Sequence, residues 1–121
     1  MFARKVAARL KPDSLPEFTN LMEYEILPWL RQQQGFLDLI VLAVPHSREV
    51  ATLSFWDREE NEHAFSLAGY PEVLRTLGNL LDGAPYVKTF DVVSSTLQSS
   101  SLTMAGLSKT TAPKSSPRWH E

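Results

Sequence analysis

No cysteine occurs in the 121 residues. The chain therefore forms no disulfide, offers no thiol nucleophile and builds no cysteine-ligated zinc or iron–sulfur site. Glycine is scarce, at five residues, and nowhere clusters into a loop that could cradle phosphate. The three histidines, His46, His63 and His120, are scattered, and no pair of histidines or carboxylates has a convincing metal-ligand spacing. Neither a metal nor a cofactor is expected. Long apolar runs are also missing: MFARKVAARL at the N-terminus is neither a signal peptide nor a membrane span. A cytoplasmic protein without a membrane partner is the expectation. Basic charge is not in excess, since the net charge is -2, so nothing electrostatic calls for nucleic acid.

What is present suits a single globular domain. Hydrophobic residues make up 43% and charged residues 21%, and the length allows one core but not two. Charge is uneven. Up to Ser94, nine Lys/Arg stand against thirteen Asp/Glu, a balance of -4; the remainder carries Lys109, Lys114 and Arg118 against Glu121, a balance of +2. Residues 95–121 are rich in Ser and Thr, with Leu97, Leu102, Met104 and Leu107 as sparse apolar anchors. That composition predicts a mostly irregular tail, any ordered part of which would rest on a partner chain. Residues 1–94 would form the folded domain.

The organising stretch is Glu49 to Arg58, EVATLSFWDR. Val50, Thr52, Ser54 and Trp56 share one strand face, and Ala51, Leu53 and Phe55 the other. Neither face carries much charge, which predicts a central strand covered on both sides. Asp57 followed by Glu60 reads as a capping box opening a helix, so a buried strand delivers Trp56 to a helix mouth. A site near that junction is expected.

The rest of the chain frames this strand. Phe2 to Leu10 alternates as a strand. Ser14, with Glu17 three residues on and Pro16 in the first turn, opens a helix whose stripe runs through Leu15, Phe18, Met22, Ile26, Trp29 and Leu30. Pro28 predicts a kink, because it cannot donate to the Tyr24 carbonyl. Gly35 is placed for a left-handed cap. Phe36 to Val44 is a second strand, joined to the third by Pro45-His46-Ser47-Arg48 as a hairpin. A helix over about 58–68 should bury Ala64, Phe65 and Ala68. Another begins at Tyr70-Pro71 with Val73, Leu74, Leu77, Leu80 and Leu81 as its stripe, ending at Gly83. Tyr86 to Val93 is the fourth strand.

The order β-α-β-β-α-β predicts a ferredoxin-like, split βαβ α+β fold, an antiparallel sheet with helices on one face and strands one and three central. Strands two and three are apolar on both faces. One face would then lie bare, and a second copy packed sheet to sheet about a two-fold axis is the simplest cover. The chain is thus expected to be a homodimer, and Asp at Leu53 or Leu39, whichever faces the partner, to dissociate or unfold it.

KPDSLPEF opening helix one, ILPWLRQQQGF closing it, LSFWDREE running from strand three into a helix, YPEVL and VKTFDVV together resemble the antibiotic biosynthesis monooxygenase superfamily of dimeric α+β barrels. The resemblance spans residues 1–94. It implies cofactor-free oxygenation of a small quinol or polycyclic aromatic, an oxidoreductase role; the alternative is a non-catalytic ligand-binding or accessory barrel. Haem degraders of the superfamily need Asn, Trp and His where this chain has about Ala8, Phe65 and Arg75, so haem degradation is rejected. Many quinol-oxygenase-like members carry a histidine where Phe65 stands, and His63 is about 200° away around the helix.

His63 is the candidate base, or else a surface histidine beside Glu59, Glu60 and Glu62. Tyr70 is the second catalytic candidate, or merely a helix-entry residue. Trp56 could stack on a planar ligand, or serve the core. Phe18, Met22, Trp29, Phe65 and Leu74 complete the candidate ligand-binding set.

Overall fold

Four strands form one antiparallel sheet in the order β2-β3-β1-β4: β1 Phe2–Arg9, β2 Phe36–Ala43, β3 Glu49–Trp56 and β4 Tyr86–Asp91. The computed structural model describes residues 1–96. Met1–Asp91 is one compact unit, which holds all four strands. The expectations for the tail from Leu97 onward lie outside the described residues. The apolar stretch β3 is central, hydrogen-bonded to β1 on one side and β2 on the other. The fold is the expected α+β, ferredoxin-like one.

Register assigns every strand residue to a face. Arg4 pairs with Ser54, Val6 with Thr52 and Ala8 with Val50, and these even-numbered residues lie under the helices. On β2 the same face carries Leu39, Val41 and Ala43, opposite Ser54, Thr52 and Val50. The outer face carries Ala3, Ala7, Leu53, Phe55, Ala51, Ile40 and Leu42. Phe90 and Tyr86 extend it on β4, opposite Ala3 and Ala7. Lys5 and Lys88 stand side by side in the same layer, and the Lys88 ammonium lies 5.6 Å from the Phe90 ring.

The first helical layer is α1 Leu15–Leu21, a π-helical turn Met22–Ile26 and α2 Leu27–Leu30. Its buried residues are Phe18, Met22, Ile26 and Leu30, each four apart. In a regular α-helix such a row drifts about 40° per step. The wider π turn, closed by Leu27 N–H donating to the Met22 carbonyl, absorbs that drift. The missing N–H of Pro28, where a kink is expected, falls next to this widened turn. Leu15 is exposed, outside the row.

The second layer is α3 Glu59–Ala68 and α4 Tyr70–Leu77, followed by a 3₁₀ turn Gly78–Leu80. Several local expectations differ here. Arg58, not Asp57, is the N-cap of α3, and the Asp57 carboxylate instead accepts from Asn61 Nδ2 at 2.8 Å. The inner face of α3 is Glu62 and Phe65, while Ala64 and Ala68 are exposed. The helix packs on β1, where the buried Arg4 demands a carboxylate, and that rotates Glu62 inward. The α-helical part of α4 stops at Leu77 rather than near Gly83. Past Gly78 the backbone bonds to the end of β1: Lys11 N–H to the Leu80 carbonyl at 2.8 Å and Asp82 N–H to the Arg9 carbonyl at 2.8 Å, with Leu10 and Leu81 bridged. These bonds draw the chain out of the helix. Gly35 has φ 84°, and a side chain there would run into Asn61 and Asp57, so glycine is required.

The core sits between the sheet and the helices, with Trp56 at 0% exposure. Its ring lies 4.9 Å from Phe65 and 5.7 Å, edge-on, from Phe36. Its Nε1–H donates to Ser54 Oγ at 3.0 Å. Among the described residues no helix is long and apolar enough to cross a membrane.

Candidate functional site

Between sheet and helices lies a cavity of about 60 Å³. Its floor is the paired residues Arg4–Ser54, Val6–Thr52 and Ala8–Val50. Those side chains are short apart from Arg4, so the floor falls away from the roof. The roof is the row Phe18, Met22, Ile26 and Leu30 on one side, with Tyr70, Val73, Leu74 and Leu77 on the other. The walls are almost wholly apolar. Polar groups are confined to Arg4, Thr52, Ser54 and Tyr70.

Arg4 dominates the electrostatics. It is 3% exposed, and its Nη1 donates to Glu62 Oε2 at 2.8 Å, with Glu62 itself 4% exposed. Its guanidinium carbon lies 4.3 Å from the centre of the Tyr70 ring and 5.7 Å from that of Phe65. Such cation–π contacts strengthen where water is excluded. Its Nε is, among the described residues, the buried side-chain nitrogen that finds no hydrogen-bond partner. Burial raises the Tyr70 phenol above its ordinary value of 10.0, and the neighbouring Arg4 pulls the opposite way through its charge and a side-chain hydrogen bond. Tyr70 therefore holds its proton more firmly than an ordinary phenol.

Of the residues singled out in the sequence, Phe18, Met22, Phe65, Tyr70 and Leu74 meet around this cavity. Trp56 and Trp29 do not line it. Trp56 is consumed by the core, its indole turned toward Ser54 and Phe65. The strand–helix junction thus positions packing, and the cavity lies further along the sheet. Trp29 packs at 6.0 Å from Phe65 and borders a separate groove of about 410 Å³, shared with Glu25, Ile26, Glu72, Val73 and Thr76. His63 is exposed, on the side of α3 turned away from Phe65. Arg75 is solvated at the surface and paired with Glu72. Among the described residues no three His, Asp or Glu side chains gather as metal ligands.

The sequence reading missed Arg4 and Glu62. The signal for Arg4 was its parity: it falls in the even-numbered series Phe2, Val6, Ala8 and Leu10, which is otherwise apolar. A cation on a buried strand face implies a carboxylate on the covering helix. Glu62, three residues before Phe65, was that carboxylate.

No family model matches the sequence, and no curated protein is detectably similar to it. Solved structures do match in shape. A monooxygenase of Streptomyces coelicolor, ActVA-Orf6, solved in complex with nanaomycin D, superposes with a TM-score of 0.67 at 20% identity, over 78% of this chain and 88% of that one. SnoaB, a cofactor-independent oxygenase of Streptomyces nogalater, gives 0.64 at 12% identity, over 78% and 94%. NE2512 from Nitrosomonas europaea, a protein of unknown function, gives 0.66 at 16% identity, over 78% and 90%. The chain shares the fold of the antibiotic biosynthesis monooxygenases.

Proposed function

We propose that this protein is a cofactor-independent monooxygenase-like enzyme that takes a small, readily ionised aromatic between its sheet and helices and works as a homodimer paired through the outer sheet face. The observation that carries the reading is the apolar cavity with a single buried cation at its edge. An apolar enclosure favours an electron-rich anion over its hydrated form only if a fixed positive group stands beside it. Arg4 is that group.

The chemistry needs little else from the protein. A ring hydroxyl or enol loses its proton, and the carbanion-like anion gives an electron to dioxygen. The two radicals join as a C–O bond. The resulting peroxide loses water to leave a ketone or quinone carbonyl, so one oxygen atom enters the product and the other leaves as water. Among the described residues the cavity is lined by neither histidine nor a free carboxylate, since Glu62 is tied to Arg4. Proton removal then falls to solvent, which favours substrates acidic enough to ionise unaided. Size narrows the class further. A cavity of about 60 Å³ is smaller than the ~150 Å³ that holds a benzene-sized guest. Single-ring quinols are favoured over polycyclic substrates, with Met22 and Leu74 as the side chains free to yield.

The test is oxygen uptake on a panel of quinols and anthrones without added flavin or metal. Consumption above the buffer rate, fastest for the most acidic small quinols, is expected. No excess across the panel sinks the reading. The exposure of His63 favours a second one, a barrel that binds such rings without turnover. That reading predicts ligand-dependent thermal stabilisation with no oxygen uptake.

A further inference from the structure

We infer that Arg4 is an oxyanion anchor: its Nε–H binds the ionised hydroxyl of an aromatic ring held in the cavity, and Glu62 is the positioning residue that fixes the guanidinium for this task. The inference rests on the reading of the cavity as a ligand site and assigns that ligand's chemistry.

Three observations converge on it. First, the guanidinium is buried and only part of its donor edge is used. Glu62 takes Nη1, while Nε, in the same plane, lacks a partner among the described residues although Arg4 borders the cavity. Buried donors are rarely left unpaired, and each such exception calls for an explanation. Second, the guanidinium is packed against aromatic rings. Tyr70 lies against it at 4.3 Å, with Phe65 beyond at 5.7 Å. The partner that the free Nε–H can take is a hydrogen-bond acceptor. Third, the charge count is particular. Arg4 and Glu62 together are neutral, and the walls are apolar. A compact, strongly hydrated anion such as a carboxylate or phosphate would lose its water without full compensation. A phenolate or enolate spreads its charge into the ring and needs less. Arg4 therefore selects a delocalised oxygen anion, and binding it lowers the pKa of the ring hydroxyl. That makes the ligand's own ionisation do what no side chain lining the cavity does as a base.

The full-length protein can be tested with 4-nitrophenol, whose yellow phenolate reports its ionisation directly. Three comparisons frame it: 4-nitroanisole, the same ring without an ionisable hydroxyl; 4-nitrobenzoate, with a compact charge; and variants of the pair. Bound 4-nitrophenol is expected to ionise about one pH unit lower than free, a preference of about tenfold for phenolate over phenol. 4-Nitrobenzoate should bind more weakly than 4-nitrophenolate. Glu62→Gln, which keeps the guanidinium and removes its counter-charge, should lower the bound pKa further. Arg4→Met combined with Glu62→Met should abolish the shift. If that double variant does not fold, the native protein and Glu62→Gln still decide the matter. An unshifted or raised bound pKa, a Glu62→Gln variant indistinguishable from the parent, or no binding of either uncharged ring overturns the proposal. The readout is independent of turnover. Oxygen uptake without a pKa shift would refute the anchor and leave the monooxygenase reading intact; a shift without uptake would do the reverse.

Discussion

Leu53→Asp is expected to split the proposed dimer into folded monomers. Leu53 lies on the outer sheet face, beside Ile40 on one side and Lys5 on the other. In the single chain, Ile40 is 41% exposed, Leu42 46%, Phe90 40% and Tyr86 67%. Taking a fully exposed large side chain at ~150–250 Å², those four alone leave on the order of 400 Å² of apolar side chain uncovered. Two such faces brought together remove about 800 Å² from water, a gross gain of about 20 kcal/mol. Association costs about 4–15 kcal/mol, which leaves on the order of 10, enough for a submicromolar pair. Each introduced aspartate must be desolvated in that interface at several kcal/mol, and symmetry places two of them there. The surplus is gone. The monomer fares better, because Asp at this position stands directly opposite Lys5, and an exposed cross-strand pair of opposite charge is worth ~0.2–1 kcal/mol. Within a dimer the same pair would be buried, where desolvation outweighs its attraction. Leu39→Asp is the contrast: Leu39 lines the cavity on the inner face, and a carboxylate there should unfold the chain rather than dissociate it. Sedimentation equilibrium at micromolar concentration, with circular dichroism on the same samples, reads both. A native protein that sediments as a folded monomer, or a Leu53→Asp variant that stays dimeric, refutes the reasoning.

Arg4→Met alone should destabilise the fold by about 3–5 kcal/mol in urea unfolding, because it strands the Glu62 carboxylate in the core, and adding Glu62→Met should recover much of the loss. Tyr70 has a folded pKa raised above its ordinary 10.0, so its contribution is fully present below pH 10.0 and is lost as pH climbs through the folded value. Tyr70→Phe should therefore flatten the fall in melting temperature above pH 10.0, and an unchanged alkaline profile would contradict the burial of that phenol. Gly35→Ala should cost more than the ~1–2 kcal/mol of a left-handed backbone, since the new Cβ also meets Asn61, and chemical denaturation measures it.

The parts of the fold legible in the sequence were those that period alone decides. Strand alternation separated Leu53 and Ile40 from Leu39 and Val50 before any pairing was known, and the register keeps that division. The helical row Phe18–Met22–Ile26–Leu30 was equally visible. Its geometry was not, because a π turn is a response to Pro28 and to the packing of a four-residue repeat, and neither alone dictates it. The second layer was read less well for a related reason. On α3, apolar Ala64 and Ala68 competed with Glu62 for the inner face, and hydrophobicity favoured the alanines. The decision belonged to Arg4, fifty-eight residues earlier, whose buried charge outweighs two methyl groups.

The same competition explains why the sequence did not point to Arg4. A search for chemistry that starts from residue types lands on His63 and the tryptophans, because histidine titrates near neutrality and tryptophan stacks. Topology assigns them otherwise: His63 faces water and Trp56 fills the core. What sets Arg4 apart is its position. Arginine is common and unremarked on a strand that alternates with Lys5 and Arg9, yet Arg4 differs from both by one residue of register, and one residue moves a side chain to the other face of the sheet. Two neighbouring cations on the outer face remain solvated while the third is sealed under Tyr70. A site built this way leaves no motif; its signature is a charge standing at the wrong parity, and it can be found by asking of each apolar strand face which member does not belong.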